Sequence, residues 1–228
     1  MSPRDLIIVI IDRIYRGGMT TTSGGNISII DEQGDIWVTP SAIDKGSLRR
    51  SDIVCVDAKG RVDGRHNPSS ELPFHRAIYE SRKDIKAIIH AHSPALVAFS
   101  IARQIPDTRV ISQARQVCGS IGYAAYELPG SEALGRKIAR AFEEDHLAVV
   151  MENHGVVVGG ESLLDAFERF ETLEFCARTL IHGQMVGGVR YLSDGQIAEF
   201  EQQVPRNFPE HPEAAHATDE KEDRKSVV

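Results

Sequence analysis

At 228 residues, the chain is long enough for one well-buried core or two small ones. Apolar residues make up 41% and charged residues 26%, which argues against a disordered, fibrous or membrane-embedded protein. The formal net charge of −7 disfavours a broad surface for binding polyphosphates, so we expect no nucleic-acid partner.

The start of the chain has no membrane or export signal that we recognise. Its apolar run, residues 6–11, is far shorter than the ~20 residues that cross a bilayer, and it does not suit a secretory signal. The three cysteines are widely spaced and form no C-x-x-C pair, so neither a disulfide framework nor a thiolate zinc site is indicated. We therefore expect a cytoplasmic protein with no membrane partner.

The first third of the chain is predicted to be a helix followed by short strands. Apolar residues recur at three- and four-residue steps between Leu6 and Ile14, which predicts an amphipathic helix that ends at Gly17 and Gly18. Three short extended segments follow, at residues 26–30, 36–38 and 53–56. Glycine and proline separate them, as is typical of strands joined by tight turns.

Helices and strands alternate through the rest of the chain. Residues 71–82 predict a helix with Ser69 and Ser70 as N-cap residues. A buried strand at residues 85–92 precedes a second helix that runs through residue 101. Two apolar strands follow, at residues 148–151 and 156–158, and then a long helix at residues 162–182. This alternation predicts an α/β or α+β fold with one core, residues 1–208, followed by a polar, disordered tail at residues 209–228.

Three histidines are candidate metal ligands. His90 and His92 are two residues apart at the end of an apolar strand, where both side chains project from the same face. Two histidines satisfied by local hydrogen bonds would show the same spacing. His154 lies in a polar turn between apolar strands, next to Gly155, and favours the metal interpretation. Three imidazoles without cysteine suit a catalytic zinc site with one open position.

Glu71 is the candidate general acid/base. It lies at the predicted start of a helix, where a carboxylate also interacts favourably with the helix dipole. Beside a divalent ion it becomes a proton carrier or a fourth ligand. His75 follows on the same helix face, either as a surface pair with Glu71 or as a residue that orients it.

Three polar turns are candidate anion-binding loops. They are residues 22–28, residues 39–42 and the pair Ser69 and Ser70 before the helix of Glu71. Backbone N–H groups in such loops and at helix N-termini bind phosphate, although each of these segments is also compatible with ordinary turns. Together with a metal ion, they indicate an anionic, oxygen-rich small substrate.

These segments, in this order, resemble the class II aldolase/adducin family over residues 4–200. The resemblance rests on residues 23–28 (SGGNIS), 38–44 (VTPSAID), 51–57 (SDIVCVD), 68–79 (PSSELPFHRAIY), 87–93 (AIIHAHS) and 152–167 (ENHGVVVGGESLLDAF). It implies a three-layer α/β/α sandwich with a mixed, largely antiparallel central sheet, and commonly a homotetramer with active sites at subunit junctions.

The resemblance also implies roles for individual residues. His90, His92 and His154 match the three zinc-binding histidines of the family, and Glu71 matches the glutamate that carries the proton and ligates zinc in the empty site. Six further residues match phosphate-binding positions, namely Gly25, Asn26, Ser41, Ala42, Ser69 and Ser70.

The reaction that the resemblance implies is the cleavage of a fuculose-like ketose 1-phosphate. The products are dihydroxyacetone phosphate and an aldehyde, formed through a metal-stabilised enediolate. Glu71 favours this aldol reaction over epimerisation, because the family's epimerases have aspartate there. A related sugar-phosphate dehydratase or decarboxylase stays open, as does a non-catalytic, adducin-like interaction module. Three histidines and Glu71 together disfavour the interaction module.

Overall fold

The computed structural model describes residues 1–204, which contain one sheet of eight strands. The strands are β1 (Asn26–Ile30), β2 (Ile36–Val38), β3 (Val54–Val56), β4 (Val62–Asp63), β5 (Ala87–Ala91), β6 (Gly122–Ala124), β7 (Ala148–Met151) and β8 (Gly155–Gly160). Their spatial order is β4-β3-β2-β1-β5-β8-β7-β6. Neighbouring strands are antiparallel except β6 and β7, which are parallel. The mixed, largely antiparallel sheet is therefore confirmed.

Seven α-helices accompany this sheet within residues 1–204. They are α1 (Pro3–Arg16), α2 (Leu72–Ser81), α3 (Pro94–Ile101), α4 (Ser112–Cys118), α5 (Glu132–Glu143), α6 (Leu163–Met185) and α7 (Asp194–Gln203). The first helix ends as predicted, since Gly17 is the C-cap residue of α1. The long helix begins as predicted, because the Ser162 side chain caps α6 by accepting a hydrogen bond from the Asp165 N–H.

The helices cover both faces of the sheet, so the fold is a three-layer α/β/α sandwich. Successive residues of β5 point to opposite layers. Ala87 and Ile89 pack in the core with α1, α3 and α6, whereas Ile88 packs in the core with α2 and α5. His90 points to the same layer as Ile88, and its ring contacts the Phe74 ring of α2 edge-on at 5.7 Å between centroids. The strand thus directs His90 toward the helix that begins next to Glu71.

The predicted capping of α2 by Ser69 and Ser70 is wrong. Glu71 is the N-cap residue, with φ −98° and ψ 6°, and no side chain caps the helix. The Ser69 Oγ instead accepts a hydrogen bond from the Glu71 N–H at 3.3 Å. The carboxylate of Glu71 does not cap its own helix because it is directed at side chains that project from the sheet.

A buried glutamate of α6 holds the segment that follows His92. The Glu174 carboxylate accepts hydrogen bonds from the Ala95 and Leu96 N–H groups in the first turn of α3, at 3.3 and 3.1 Å. The Ser93 side chain, at the N-cap of α3, makes no capping bond. Glu174 therefore supplies from another helix the acceptor that α3 lacks locally.

We expect Glu174→Ala to lower the free energy of unfolding by about 1–3 kcal/mol, because two buried N–H groups lose their acceptor. Urea denaturation measures this loss. The matched control on the same helix is Glu171→Ala, whose exposed ion pair with Arg13 has a 3.7 Å separation and contributes less than about 1 kcal/mol. Equal losses in the two variants would contradict the capping role.

None of the helices described within residues 1–204 combines the length and hydropathy needed to cross a membrane. The predicted tail, residues 209–228, and its boundary with the folded domain lie outside the described residues.

Candidate active site

The sheet brings three histidines together at one end of β5. His90 belongs to β5 and His92 follows it directly. Antiparallel pairing of β8 with β5 places Val156 opposite Ala91, so the turn that carries His154 lies beside the end of β5. One nitrogen from each ring lies within 4.8 Å of the others, a group that could hold a metal ion. The Nε2 atoms of His90 and His92 are 2.9 Å apart.

Glu71 faces two of these rings. Its Oε2 lies 3.1 Å from His90 Nε2, and its Oε1 lies 3.3 Å from His154 Nε2. Burial alone would raise the pKa of the Glu71 carboxyl, but His90 and His154 lower it well below its usual range. The four side chains predicted to form the site are therefore adjacent, with the carboxylate ionised.

The donor set fits a divalent cation. The Nδ1 of His90 donates a hydrogen bond to the Val156 carbonyl at 2.9 Å, so Nε2 is the ring atom directed into the cluster. Burial lowers the pKa of His92 to about 3, so this ring is neutral at ordinary pH and has a lone pair for a metal ion. The buried Oε1 of Glu71 has no hydrogen-bond partner in this structure, which fits an oxygen that faces a cation.

The ring of His92 has space only because residue 24 is glycine. A Cβ at Gly24 would lie 2.7 Å from His92 Nδ1 and 2.7 Å from Thr21 Oγ1.

We expect Gly24→Ala to displace the His92 ring and to weaken cation binding about tenfold. This is the lower end of the loss in affinity that follows when a residue packed against a metal ligand is changed. Chelator competition measures the affinity. In Gly195→Ala, the matched control on α7, the nearest atom to the new Cβ is 4.0 Å away; equal affinities in the two variants would contradict this role of Gly24.

The three candidate anion-binding loops lie against one another. The Ser41 N–H donates to the Asn67 carbonyl at 3.0 Å, and the Ser69 N–H donates to the Thr39 carbonyl at 3.2 Å. Gly25 has φ +71°, and a Cβ there would lie 2.7 Å from the His90 carbonyl oxygen. The loops that were distant in sequence therefore meet beside β5.

The candidate phosphate residues differ in exposure. Ala42 and Ser70 are exposed and Ser41 is half-buried, whereas Ser69, Gly25 and Asn26 are buried. Ala42 has φ +57°, which is strained for a residue with a Cβ. The Asn26 side chain donates to Glu71 Oε2 at 2.7 Å, so it belongs to the surroundings of the carboxylate in this structure.

Two polar residues near the site, His75 and Lys45, are buried, which the sequence did not predict. His75 is fully buried, so its interpretation as a surface pair with Glu71 is wrong; its ring bonds Asn26 and Ser28. Lys45 is 3% exposed, and its ammonium donates to the carbonyls of Pro40 and Ile43 at 3.2 Å each. Lys45 thereby stabilises the loop that carries Ser41, and burial lowers its pKa. No spacing pattern in the sequence distinguishes these two residues from surface ones.

Comparison with known proteins places the chain in a family. Residues 5–181 match the family model described as the class II aldolase and adducin N-terminal domain. The chain belongs to the class II aldolase and adducin family. Class II aldolases are metal-dependent enzymes, and the three-histidine group of this chain could hold such a metal.

Relatives within the class II aldolase and adducin family are similar over most of their length. A 5-deoxy-D-ribulose 1-phosphate aldolase of Bacillus thuringiensis is 32% identical, covering 85% of this chain and 91% of the relative. A 3-oxo-tetronate 4-phosphate decarboxylase of Haemophilus influenzae is 30% identical, covering 88% of this chain and 97% of the relative. The solved structure of an L-fuculose 1-phosphate aldolase matches with a TM-score of 0.78 at 31% identity, covering 88% and 95% of the two chains.

Proposed function

We propose that this protein is a zinc-dependent class II aldolase that cleaves a ketose 1-phosphate into dihydroxyacetone phosphate and an aldehyde. The observation that carries this proposal is the meeting of His90, His92 and His154 with the ionised carboxylate of Glu71. Three imidazoles without a thiolate suit zinc and leave a position for substrate oxygens. When bound, the ion supplies Lewis acidity that stabilises negative charge on those oxygens.

Glu71 is the proton carrier in this proposal. Cleavage leaves an electron pair on the carbon next to the ketone, and that carbon must gain a proton to become the methylene carbon of dihydroxyacetone phosphate. The Oε1 atom of Glu71 is buried, accepts no hydrogen bond, and points into the histidine cluster. It is therefore the oxygen that first accepts the proton lost by the substrate hydroxyl that becomes the aldehyde, and that then delivers this proton to the carbon, while Oε2 stays bonded to Asn26.

The neighbouring loops are proposed to bind the phosphate of the substrate. The groups proposed to contact it are the hydroxyls of Ser41, Ser69 and Ser70 and the backbone N–H groups of Gly25 and Ala42, because the Ser41 and Ser69 N–H groups already donate to carbonyls of the loops. A phosphate bound there is favoured by the N-terminus of the ten-residue helix α2. The phosphate would fix the distance between the ketone and the histidine cluster.

The substrates named for the two relatives share one chemical arrangement. In 5-deoxy-D-ribulose 1-phosphate and in 3-oxo-tetronate 4-phosphate alike, the phosphate is carried on a carbon next to a ketone. On the other side of the ketone, the adjacent carbon loses its bond to the carbon that follows it. Release of an aldehyde and release of carbon dioxide therefore both leave an electron pair on the carbon next to the ketone. Both reactions need a Lewis acid that stabilises this negative charge and a proton carrier that protonates this carbon. The Haemophilus relative makes decarboxylation of a 3-oxo acid phosphate our second candidate.

A substrate assay separates these candidates. Zinc-loaded protein is incubated with 5-deoxy-D-ribulose 1-phosphate, L-fuculose 1-phosphate or 3-oxo-tetronate 4-phosphate, and dihydroxyacetone phosphate and carbon dioxide are measured. We expect dihydroxyacetone phosphate from at least one ketose phosphate, and loss of the product after chelation. Decarboxylation of 3-oxo-tetronate 4-phosphate would yield carbon dioxide together with dihydroxyacetone phosphate, so both products from this compound and none from either ketose phosphate would identify the decarboxylase. Turnover of none of these compounds would count against both.

We also propose that the protein acts in the cytoplasm as a homotetramer. All three cysteines are buried and widely spaced in the sequence, in keeping with a reducing compartment. Large apolar side chains are more than half exposed, including Tyr126, Leu128 and Phe175. Where such side chains form a contiguous patch, they mark a surface that another subunit covers. Light scattering of the purified chain tests the assembly, and a monomer would contradict it.

A further inference from the structure

A chain of four buried hydrogen bonds leads from α2 through β1 to Glu71. The Tyr79 hydroxyl and Ser28 Oγ are 2.7 Å apart, and Ser28 Oγ is 2.7 Å from His75 Nδ1. The other ring nitrogen of His75, Nε2, bonds Asn26 Oδ1. Asn26 Nδ2 then donates to Glu71 Oε2 at 2.7 Å. All five side chains are buried.

The donation from Asn26 Nδ2 to Glu71 Oε2 fixes the direction of every bond in this chain. A carboxylate only accepts, so Asn26 must present its NH₂ group to Glu71 and its carbonyl oxygen to His75. That carbonyl needs a donor, which places the single proton of a neutral His75 ring on Nε2. The lone pair on Nδ1 then accepts from the Ser28 hydroxyl, whose oxygen accepts from Tyr79. One arrangement of protons satisfies all four bonds.

The alternative ring tautomer would disturb Glu71. With the proton of His75 on Nδ1, the Asn26 amide would turn its NH₂ group to the ring and its carbonyl oxygen to the carboxylate. Two acceptors would then face each other in a buried site, which is costly. Burial, together with the nearby His90, lowers the pKa of His75 to about 3, so the ring is neutral.

We propose that His75 is a positioning residue, which orients the Asn26 amide so that Glu71 is held by Oε2 and keeps Oε1 free to transfer the proton. This inference rests on the proposed function and assigns a different role to each of the two carboxylate oxygens. His75 lies outside the group that could hold a cation. It acts through Asn26, and the Ser28 hydroxyl holds the ring by donating to Nδ1.

Two amide substitutions at residue 75 test this role. The NH₂ group of glutamine reaches the position of ring Nε2, whereas that of asparagine reaches only the position of Nδ1. We expect His75→Asn to lower kcat about 10–100-fold with KM within about twofold, the usual range for losing a second partner of a catalytic group. We expect His75→Gln to recover most of that loss. Equal kcat values in the two variants would overturn the proposal.

Ser28→Ala provides an independent variant that conserves the packing. Its matched control is Ser100→Ala, which removes a buried hydroxyl bonded to the Val97 carbonyl in α3. We expect both changes to lower the free energy of unfolding similarly, and only Ser28→Ala to lower kcat. A fall in stability without a fall in kcat for Ser28→Ala would overturn the proposal.

The tautomer itself is measurable without any substrate. Long-range ¹H–¹⁵N correlation spectra of the zinc-loaded protein distinguish the two neutral forms of histidine, and His75→Gln identifies the signals of residue 75. We expect the proton of His75 on Nε2 and that of His90 on Nδ1, because His90 donates from Nδ1 to the Val156 carbonyl. A His75 proton on Nδ1 would overturn the inference. Failure of the proposed function would leave the expected tautomer unchanged and appear only in the substrate assay.

Discussion

His92→Ala is expected to abolish tight cation binding and, with it, turnover. His92 lies directly after β5, with its Nε2 2.9 Å from that of His90, so its loss removes one of three imidazoles from the group. Loss of a residue that only hydrogen-bonds to a metal ligand lowers the metal affinity about 10–100-fold. We therefore expect loss of a ligand itself to lower the affinity more than about 100-fold. Metal analysis after dialysis and chelator competition measure this change.

His182→Ala is the matched control for this experiment. His182 lies exposed near the end of α6 and outside the histidine cluster. We expect this variant to retain its metal ion, and both variants to show a circular dichroism spectrum like that of the original chain. Tight zinc binding retained by a folded His92→Ala would remove His92 from the ligand set.

Glu71→Gln is expected to retain the metal ion and to lose most of its catalytic rate. The amide has the shape of the carboxylate but cannot exchange a proton at ordinary pH. General acid/base catalysis contributes about 10²–10⁴-fold, so we expect kcat to fall within that range. Steady-state kinetics on the ketose phosphate that the original chain cleaves, together with metal analysis of the same sample, measure both parts.

Glu80→Gln is the control on the same helix, because Glu80 is exposed on α2. We expect it to keep the original kcat. If Glu71→Gln turned over at the rate of this control, Glu71 could not be the proton carrier. Loss of the metal ion in Glu71→Gln would instead assign the carboxylate a mainly ligating role.

Local sequence patterns were sufficient to predict the side chains that form the histidine cluster. Alternation along a strand places His90 and His92 on one face, and a polar turn between two apolar strands carries His154. The meeting of these two segments depends on the antiparallel register of β5 with β8, in which Val157 lies opposite His90. Register is set by long-range packing, which spacing along one chain does not reveal.

The surroundings of Glu71 could not be predicted for the same reason. Helical periodicity predicts that His75 lies on the same side of the helix as Glu71, but it does not predict whether the sheet covers that side. It is covered by β1, whose Asn26 and Ser28 bond the ring. Capping preferences favoured Ser69 and Ser70, yet contacts with the histidines determine where the Glu71 side chain points. Tertiary contacts therefore override local preference at the candidate site.

The short elements were missed because their local signal is weak. Strand β4 has only two residues, both exposed, and is identified by its pairing with β3. In the same way, the residues around Lys45 are typical of a polar turn, and only the fold shows that its ammonium is bonded to two backbone carbonyls.

X-ray absorption at the zinc edge tests most directly whether the three rings hold one catalytic cation. For the zinc-loaded chain we expect one ion per subunit, with the scattering pattern of three imidazoles and nitrogen or oxygen ligands at about 2.0–2.1 Å. The His92→Ala protein should lose that pattern. A spectrum of the original chain without imidazole scattering, or with sulfur ligands, would contradict the assignment of His90, His92 and His154.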